Sequence, residues 1–173
     1  ISNPVCYRDA RTEGMLEKAF KVLPKERFYA LTGNQFMEIN TAFQLYSMTL
    51  ANDSILQIAD KLLFTPDLFN YFLTGRALNE FSIASTSQLF SHTKHDWADE
   101  VFDVLGLPRR LMQKVVSAGC VIGELSEDVV AEVGGKGVKV VAVGSHDTAS
   151  AVASIEATGD NWAFISSGTW SLM

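Results

Sequence analysis

Apolar residues recur at helical spacing through most of the chain and give way to short β-like runs toward its end. Capping and stop signals, such as Asn40 and Gly33, limit the helical segments. The predicted helices cover residues 13–22, 24–32, 41–50, 67–73, 96–105, 108–116 and 127–133, with one more after Asp147. The predicted strands cover residues 3–7, 121–125, 138–143, 163–165 and 170–173, while residues 77–86 are expected to be irregular.

Two of the predicted strands end in polar residues of the kind that bind ligands. The apolar run 138–143 breaks at Gly144 and presents the triplet 146–148 (His-Asp-Thr) before a helix begins. The run 163–165 breaks into residues 166–169 (Ser-Ser-Gly-Thr) and then resumes as a strand. Because ligands bind outside the carboxyl ends of strands in open α/β sheets, we expect these two turns to hold the functional residues.

The first turn has the chemistry of a general base. A carboxylate such as Asp147 can take the proton from an alcohol held within hydrogen-bond reach, and His146 and Thr148 can hold hydroxyl groups. Aspartate is also a preferred residue at helix starts, so a purely structural role as a cap is an equally good interpretation of the triplet.

The second turn has the chemistry of a phosphate site. Backbone N–H groups at Gly168 and Thr169, together with the threonine hydroxyl, can hold phosphate oxygens. A tight hairpin without a ligand explains these two residues better when they are considered alone. A candidate base followed by a candidate phosphate cradle, however, favours phosphoryl transfer.

Composition narrows the possible partners. The 173 residues are 47% hydrophobic and carry a net charge of −6, which supports a buried core and argues against nucleic-acid binding. No apolar run approaches the roughly 18 residues of a membrane span, and two isolated cysteines, Cys6 and Cys120, fit a reducing cytoplasm. His92 and His95 could bind a metal, but a solvated loop is the favoured interpretation, so no metal ligand is assigned.

Six short segments follow one another in a recognisable order. They are residues 7–12 (Tyr-Arg-Asp-Ala-Arg-Thr), 32–34 (Thr-Gly-Asn), 74–75 (Thr-Gly), 96–97 (Asp-Trp), 144–151 (Gly-Ser-His-Asp-Thr-Ala-Ser-Ala) and 166–173 (Ser-Ser-Gly-Thr-Trp-Ser-Leu-Met). This order resembles that of the FGGY family of carbohydrate kinases. The resemblance spans essentially the whole chain, and the last two segments discriminate within the family.

The resemblance implies an α/β fold of the actin-like, ribonuclease-H-like ATPase type with a helical insertion, incomplete in this chain. Residues 1–156 would form most of the N-terminal, sugar-binding domain without its first strands, and residues 157–173 the opening hairpin of the C-terminal, ATP-binding domain. The chain is therefore expected to belong to a longer enzyme and to be inactive alone. The family's first phosphate hairpin, its magnesium-binding acidic group and its adenosine site would lie elsewhere.

The resemblance also implies roles for single residues. Asp147 would be the base that takes the proton from the C1 hydroxyl of a ketose, with His146 and Thr148 contacting the sugar. Gly168 and Thr169 would contact the phosphates of ATP, which such kinases bind with Mg²⁺.

Two weaker assignments complete the expected site. Tyr7 lies where related kinases place an aromatic ring against the substrate, although the loop after it departs from the Trp-led form common in the family. The loop 35–41 is expected to wall the same pocket.

The residues of the last two segments resemble those of kinases that act on L-rhamnulose, which favours this ketose as the acceptor and L-rhamnulose 1-phosphate and ADP as the products. Another ketose kinase, acting on L-fuculose or L-xylulose, and a noncatalytic sugar-binding protein of the same fold are the alternatives.

Overall fold

The computed structural model describes residues 5–173, which fold into helices packed against short two-stranded sheets. The helices are α1 (Met15–Val22), α2 (Lys25–Thr32), α3 (Thr41–Leu50), α4 (Ile55–Ile58), α5 (Thr65–Thr74), α6 (Phe81–Ser85), α7 (Asp99–Leu105), α8 (Glu127–Val133) and α9 (Asp147–Ala153). Short 3₁₀ helices lie at Ala10–Thr12 and Arg109–Leu111. None of the helices in this described part of the chain is long and apolar enough to cross a membrane.

The strands are short and pair two by two. They are β1 (Asn79–Glu80), β2 (Phe90–Ser91), β3 (Asp96–Trp97), β4 (Val115–Val116), β5 (Val121–Glu124), β6 (Lys139–Val141), β7 (Ser166–Ser167) and β8 (Ser171–Leu172). The pair β1–β4 is parallel, whereas β2–β3, β5–β6 and β7–β8 are antiparallel. The predicted strand before Asp147 is therefore β6, which is shorter than expected and forms a two-stranded ribbon with β5.

Local signals explain the ends of several helices. Gly33 and Gly75 follow α2 and α5 with φ angles of 68° and 69°, a left-handed conformation that glycine adopts without strain. Both stops confirm the prediction. Asn40 precedes α3 as predicted, but its Oδ1 accepts a hydrogen bond from the Met37 N–H at 2.7 Å instead of capping the helix amides.

Side chains from α1, α2, α3 and α7 form the main hydrophobic core. Phe28 and Phe43 are fully buried, and Phe36 packs edge-on against Phe28 with ring centroids 5.2 Å apart. Trp97 joins the same core, and its Nε1 donates to the carbonyl of Gln113 at 2.8 Å. The apolar core therefore joins α1, α2 and α3 to the chain around α7.

Two stretches differ from the prediction. Residues 77–86, expected to be irregular, hold β1 and α6. Residues 108–116, expected to be helical, hold a single 3₁₀ turn and β4. The reason is a long-range pairing: the Asn79 N–H donates to the Lys114 carbonyl at 3.0 Å, and the Gln113 N–H donates to Asn79 Oδ1 at 3.1 Å. These bonds hold the second stretch extended alongside the first.

Smaller differences lie at other boundaries. Helix α7 begins at Asp99 because residues 96–97 form a strand, and the last hairpin pairs from Ser166 with no strand over 163–165. Of residues 3–7, predicted to end a strand, 3 and 4 lie outside the described residues, and 5–7 form no strand.

Replacing the fully buried Phe43 with alanine should lower the free energy of unfolding by about 3–5 kcal/mol, because the lost ring leaves a cavity in the core. Phe69→Ala is the matched control. Its ring is 63% exposed on α5, so the change should stay near 0.5 kcal/mol. Urea and thermal melts of the full-length protein measure both values, and equal losses for the two variants would contradict this packing.

Candidate active site

Asp147 is the first residue of α9, and His146 is the residue that precedes the helix. The Asp147 side chain is 97% exposed. Its Oδ1 accepts the Thr148 N–H at 2.7 Å and lies 3.7 Å from His146 Nε2. Asp147 is thus the first helical residue and not the cap, because His146 holds the cap position and makes no side-chain cap bond. The Asp147 carboxylate lies in the first turn, where negative charge is favourable, and it faces solvent.

The triplet 146–148 forms one polar surface. The Thr148 hydroxyl lies 3.5 Å from Asp147 Oδ1, and both His146 and Thr148 are half-buried. A carboxylate, an imidazole and a hydroxyl therefore meet at a single turn, with enough exposure for a hydroxylated ligand to reach them.

The second predicted turn connects β7 to β8. Its residues are exposed, and the Gly168 N–H donates to the Trp170 carbonyl at 2.8 Å. This amide is used inside the hairpin, which differs from the expectation that it would be free for phosphate. Thr169 makes no hydrogen bond to any residue described between 5 and 173, and the space beside the Gly168 Cα is open. Thr169 is therefore the better candidate for a phosphate contact.

The two turns belong to elements that contact each other. Helix α9, which begins at Asp147, packs against β7, which leads into Gly168. Although 21 residues separate Asp147 from Gly168 in sequence, the fold places the candidate base and the candidate phosphate turn on adjoining elements.

No hydrogen bond between described residues joins Tyr7 or the loop 35–41 to these turns. Tyr7 is exposed, and its hydroxyl accepts a hydrogen bond from Arg8 Nε at 3.0 Å. The loop borders a groove of about 610 Å³. The groove is lined by Lys25, Glu26, Tyr29, Asn34, Gln35 and Phe36, and not by the triplet 146–148.

The structure adds one residue that the sequence did not single out, Glu80. This residue is 2% exposed and precedes α6, where its Oε1 accepts the Ser82 N–H at 2.9 Å. Its Oε2 accepts the Ser145 N–H at 3.1 Å and the Ser145 hydroxyl at 2.7 Å. The Ser82 hydroxyl donates to the same oxygen and accepts the His146 N–H at 3.0 Å. Glu80 therefore contacts the turn that presents Asp147.

A second buried carboxylate holds the backbone of Glu80 in place. Asp67 of α5 is 2% exposed, and its two oxygens accept the Glu80 N–H at 3.0 Å and the Asn79 Nδ2 at 2.9 Å. Burial raises the pKa of Asp67, and the neighbouring charge of Glu80 adds to the rise while the hydrogen bonds oppose it. Burial also acts to raise the pKa of Glu80, but the hydrogen bonds from Ser82 and Ser145 outweigh it and hold that pKa below its usual value.

The described residues, 5–173, contain no group of three or more His, Cys, Asp or Glu side chains placed to hold a metal ion. His92 and His95, weighed above as a metal pair, are exposed, and the His92 ring packs edge-on to Phe81 and Phe90 at 6.0 and 5.7 Å.

Comparison with known proteins decides the family. The sequence profile described as "FGGY family of carbohydrate kinases, N-terminal domain" matches residues 1–153. The chain belongs to the FGGY family of carbohydrate kinases. The resemblance noted in the sequence is confirmed, and with it the class of enzyme to which the chain belongs.

Curated relatives of this FGGY chain include several rhamnulokinases. The Bacteroides thetaiotaomicron rhamnulokinase is 40% identical over 173 residues, which are 100% of this chain and 36% of the relative. The rhamnulokinase of Pectobacterium carotovorum subsp. carotovorum is 42% identical, over 100% of this chain and 34% of its own length. The chain thus spans about a third of the length of the curated relatives it matches.

Solved structures of FGGY-type kinases share the fold. A ligand-bound xylulose kinase from Lactobacillus acidophilus matches with a TM-score of 0.74 and 16% identity, over 83% of this chain and 29% of that one. Plasmodium falciparum glycerol kinase with ADP matches with a TM-score of 0.69 and 15% identity, over 83% and 29%. The expected fold class, an α/β actin-like ATPase domain present in part, is confirmed.

Glu80 should make stability depend on pH in acid. Its folded pKa lies below the ordinary 4.5, so its ionised form stabilises the fold fully above about pH 4.5 and less as pH falls through the folded pKa. The melting temperature of Glu80→Gln should therefore be lower than that of the wild type by a constant amount from pH 6 to 8, and the gap should narrow below pH 4.5. Glu132→Gln, an exposed change on α8, should show no such gap. A gap that widens in acid would contradict the assignment.

Proposed function

We propose that the full-length protein containing this chain is an ATP-dependent kinase that phosphorylates L-rhamnulose at its C1 hydroxyl, giving L-rhamnulose 1-phosphate and ADP. The observation that supports this most directly is the exposed Asp147 carboxylate, next to His146 and Thr148, on a helix that packs against the hairpin of Gly168 and Thr169. The rhamnulokinase relatives support the choice of acceptor.

The proposed chemistry assigns proton removal and alignment of the sugar to the first turn. Asp147 takes the proton from the C1 hydroxyl as that oxygen attacks the γ-phosphorus of ATP, and the bond from the γ-phosphorus to its bridging oxygen breaks to release ADP. His146 and Thr148 hold neighbouring sugar hydroxyls, which aligns the C1 oxygen with the phosphorus. The protein thus contributes mainly position and charge stabilisation.

The residues of the second turn fit a phosphate group. Thr169 offers a hydroxyl and a backbone N–H without partners among the described residues, and the open space beside Gly168 lets a ligand approach the backbone. Mg²⁺ would enter bound to ATP, where it shields the phosphate charges. The described residues form no cluster that fits the ion, so no protein ligand is assigned to it in this chain.

We also propose a division at residue 156, with residues 1–156 in the sugar-binding domain and 157–173 opening the ATP-binding domain. Helix α9 ends at Ala153, and no helix or strand follows until Ser166. A cytoplasmic location supplies the ATP and agrees with two free, exposed cysteines, Cys6 and Cys120.

Asp147→Asn should lower kcat of the full-length protein by about 10²- to 10⁴-fold, because an amide cannot accept the hydroxyl proton. ADP release with L-rhamnulose, coupled to detection of the 1-phosphate, measures this loss. Asp103→Asn, an exposed change on α7, should leave kcat within about 2-fold. Near wild-type turnover by Asp147→Asn would refute the base assignment. Faster turnover of L-fuculose or L-xylulose by the wild type would move the proposal to that ketose.

Thr169→Val should raise the KM for ATP by about 10-fold while Thr169→Ser stays near the wild type, because only valine removes the hydroxyl that donates to a charged phosphate oxygen. Steady-state kinetics at saturating sugar separate the two variants. If serine and valine raised the KM equally, the hydroxyl contact would be wrong.

A further inference from the structure

The helix that carries Asp147 gives this residue little support of its own. No residue of α9 is buried, and the contacts of the Asp147 carboxylate within the described chain go to its sequence neighbours, His146 and Thr148. Core packing therefore does not fix the base. Its position depends on the backbone that enters the helix.

That entering backbone is held at two consecutive N–H groups. The Ser145 N–H donates directly to Glu80 Oε2, and the His146 N–H donates to the Ser82 hydroxyl, which itself donates to Glu80. The direction of the serine proton is set by chemistry: a carboxylate only accepts, so the Ser82 hydrogen points to Glu80 and a lone pair faces His146. Sixty-five residues separate Glu80 from Ser145, so this is a tertiary link and not a local turn.

Glu80 can transmit position because it is itself fixed. The side chain is almost fully buried, and its backbone N–H donates to the buried Asp67 at 3.0 Å. The adjacent Asn79 is held on both sides of its amide, since its Nδ2 donates to Asp67 and its Oδ1 accepts the Gln113 N–H. Buried networks in which each group has its partner are rigid.

We propose that Glu80, acting with Ser82, is a positioning residue for the base: it holds the Ser145–His146 backbone so that the Asp147 carboxylate faces the attacking hydroxyl. This inference rests on the proposed function of Asp147. Displacing a base by about 1 Å costs up to about 100-fold in rate, so loss of the link should lower kcat and leave the binding of ATP on the other turn unchanged.

Glu80→Gln is the most direct test, because both Glu80 oxygens accept hydrogen bonds from backbone N–H groups. Either orientation of the glutamine amide places its NH₂ against one of these donors. The variant should lower kcat by about 10- to 100-fold, with the KM for ATP within about 3-fold. Glu132→Gln, exposed on α8, is the control and should leave both constants unchanged.

Ser82 supplies a milder test that keeps the buried charge. Ser82→Ala removes the acceptor of the His146 N–H and should lower kcat, whereas Ser82→Thr retains the hydroxyl and should restore most of it. The two Ser82 variants test whether this link positions Asp147 even if Glu80→Gln fails to fold. Equal kcat for the alanine and threonine variants would overturn the proposal.

A double variant separates positioning from general damage. If Glu80 acts only through Asp147, Glu80→Gln should cause no further loss of kcat in the Asp147→Asn background. A loss of the same size in both backgrounds would show that Glu80 acts by another route and would overturn the proposal. Absence of ketose-dependent ADP formation in the wild type would refute the proposed function itself, which distinguishes the two failures.

Discussion

The candidate site depends on the hydrogen bonds that the buried carboxylate of Glu80 accepts. Removing an ionised carboxylate from water is costly unless hydrogen bonds replace its hydration. Here the donors come from two distant parts of the chain: Ser82 and Ile83 at the start of α6, and Ser145 just before α9. The hydrogen bonds that replace the hydration of this one charge therefore join the start of α6 to the turn before α9.

The neighbouring Asp67 is a second buried carboxylate, and its pKa shifts in the opposite direction to that of Glu80. Both carboxylates are buried, yet the pKa of Asp67 is raised, by burial first, and that of Glu80 is lowered because its hydrogen bonds outweigh burial. The environment therefore favours the ionised form of Glu80, which accepts from the Ser145 turn, and disfavours the ionised form of Asp67, partly through repulsion between the two carboxylates.

Sequence reasoning succeeded where the determining forces are local. The stops at Gly33 and Gly75 and the helix α8 depend on residues within one turn of the chain, and these were predicted correctly. It failed for residues 77–86 and 108–116, whose strands exist only because they pair with each other. A two-residue strand and a five-residue helix leave no periodic pattern, so propensity could not reveal them.

The same distinction applies to the site. The break of an apolar run at Gly144 pointed to the turn of Asp147, whereas no such break marked Glu80. Glutamate is not a preferred residue at the N-cap position that Glu80 occupies, and its stretch looked irregular. The only available signal was Ser82 two residues later, with a hydroxyl and an N–H able to meet the carboxylate. The partner that gives Glu80 its importance, Ser145, is 65 residues away and visible only in the fold.

An exposed base on a rigid backbone suits the proposed phosphoryl transfer. Asp147 is 97% exposed, so the sugar of the proposed reaction can reach its carboxylate. If the side chain were buried to fix it, the acceptor could not reach it; if both side chain and backbone were free, alignment with the γ-phosphorus would be lost. Fixing the backbone through Glu80 and leaving the carboxylate open meets both requirements. For the proposed function, exclusion of water would require both the sugar and ATP phosphate at the turn of Thr169, which would couple proton removal to the presence of both substrates.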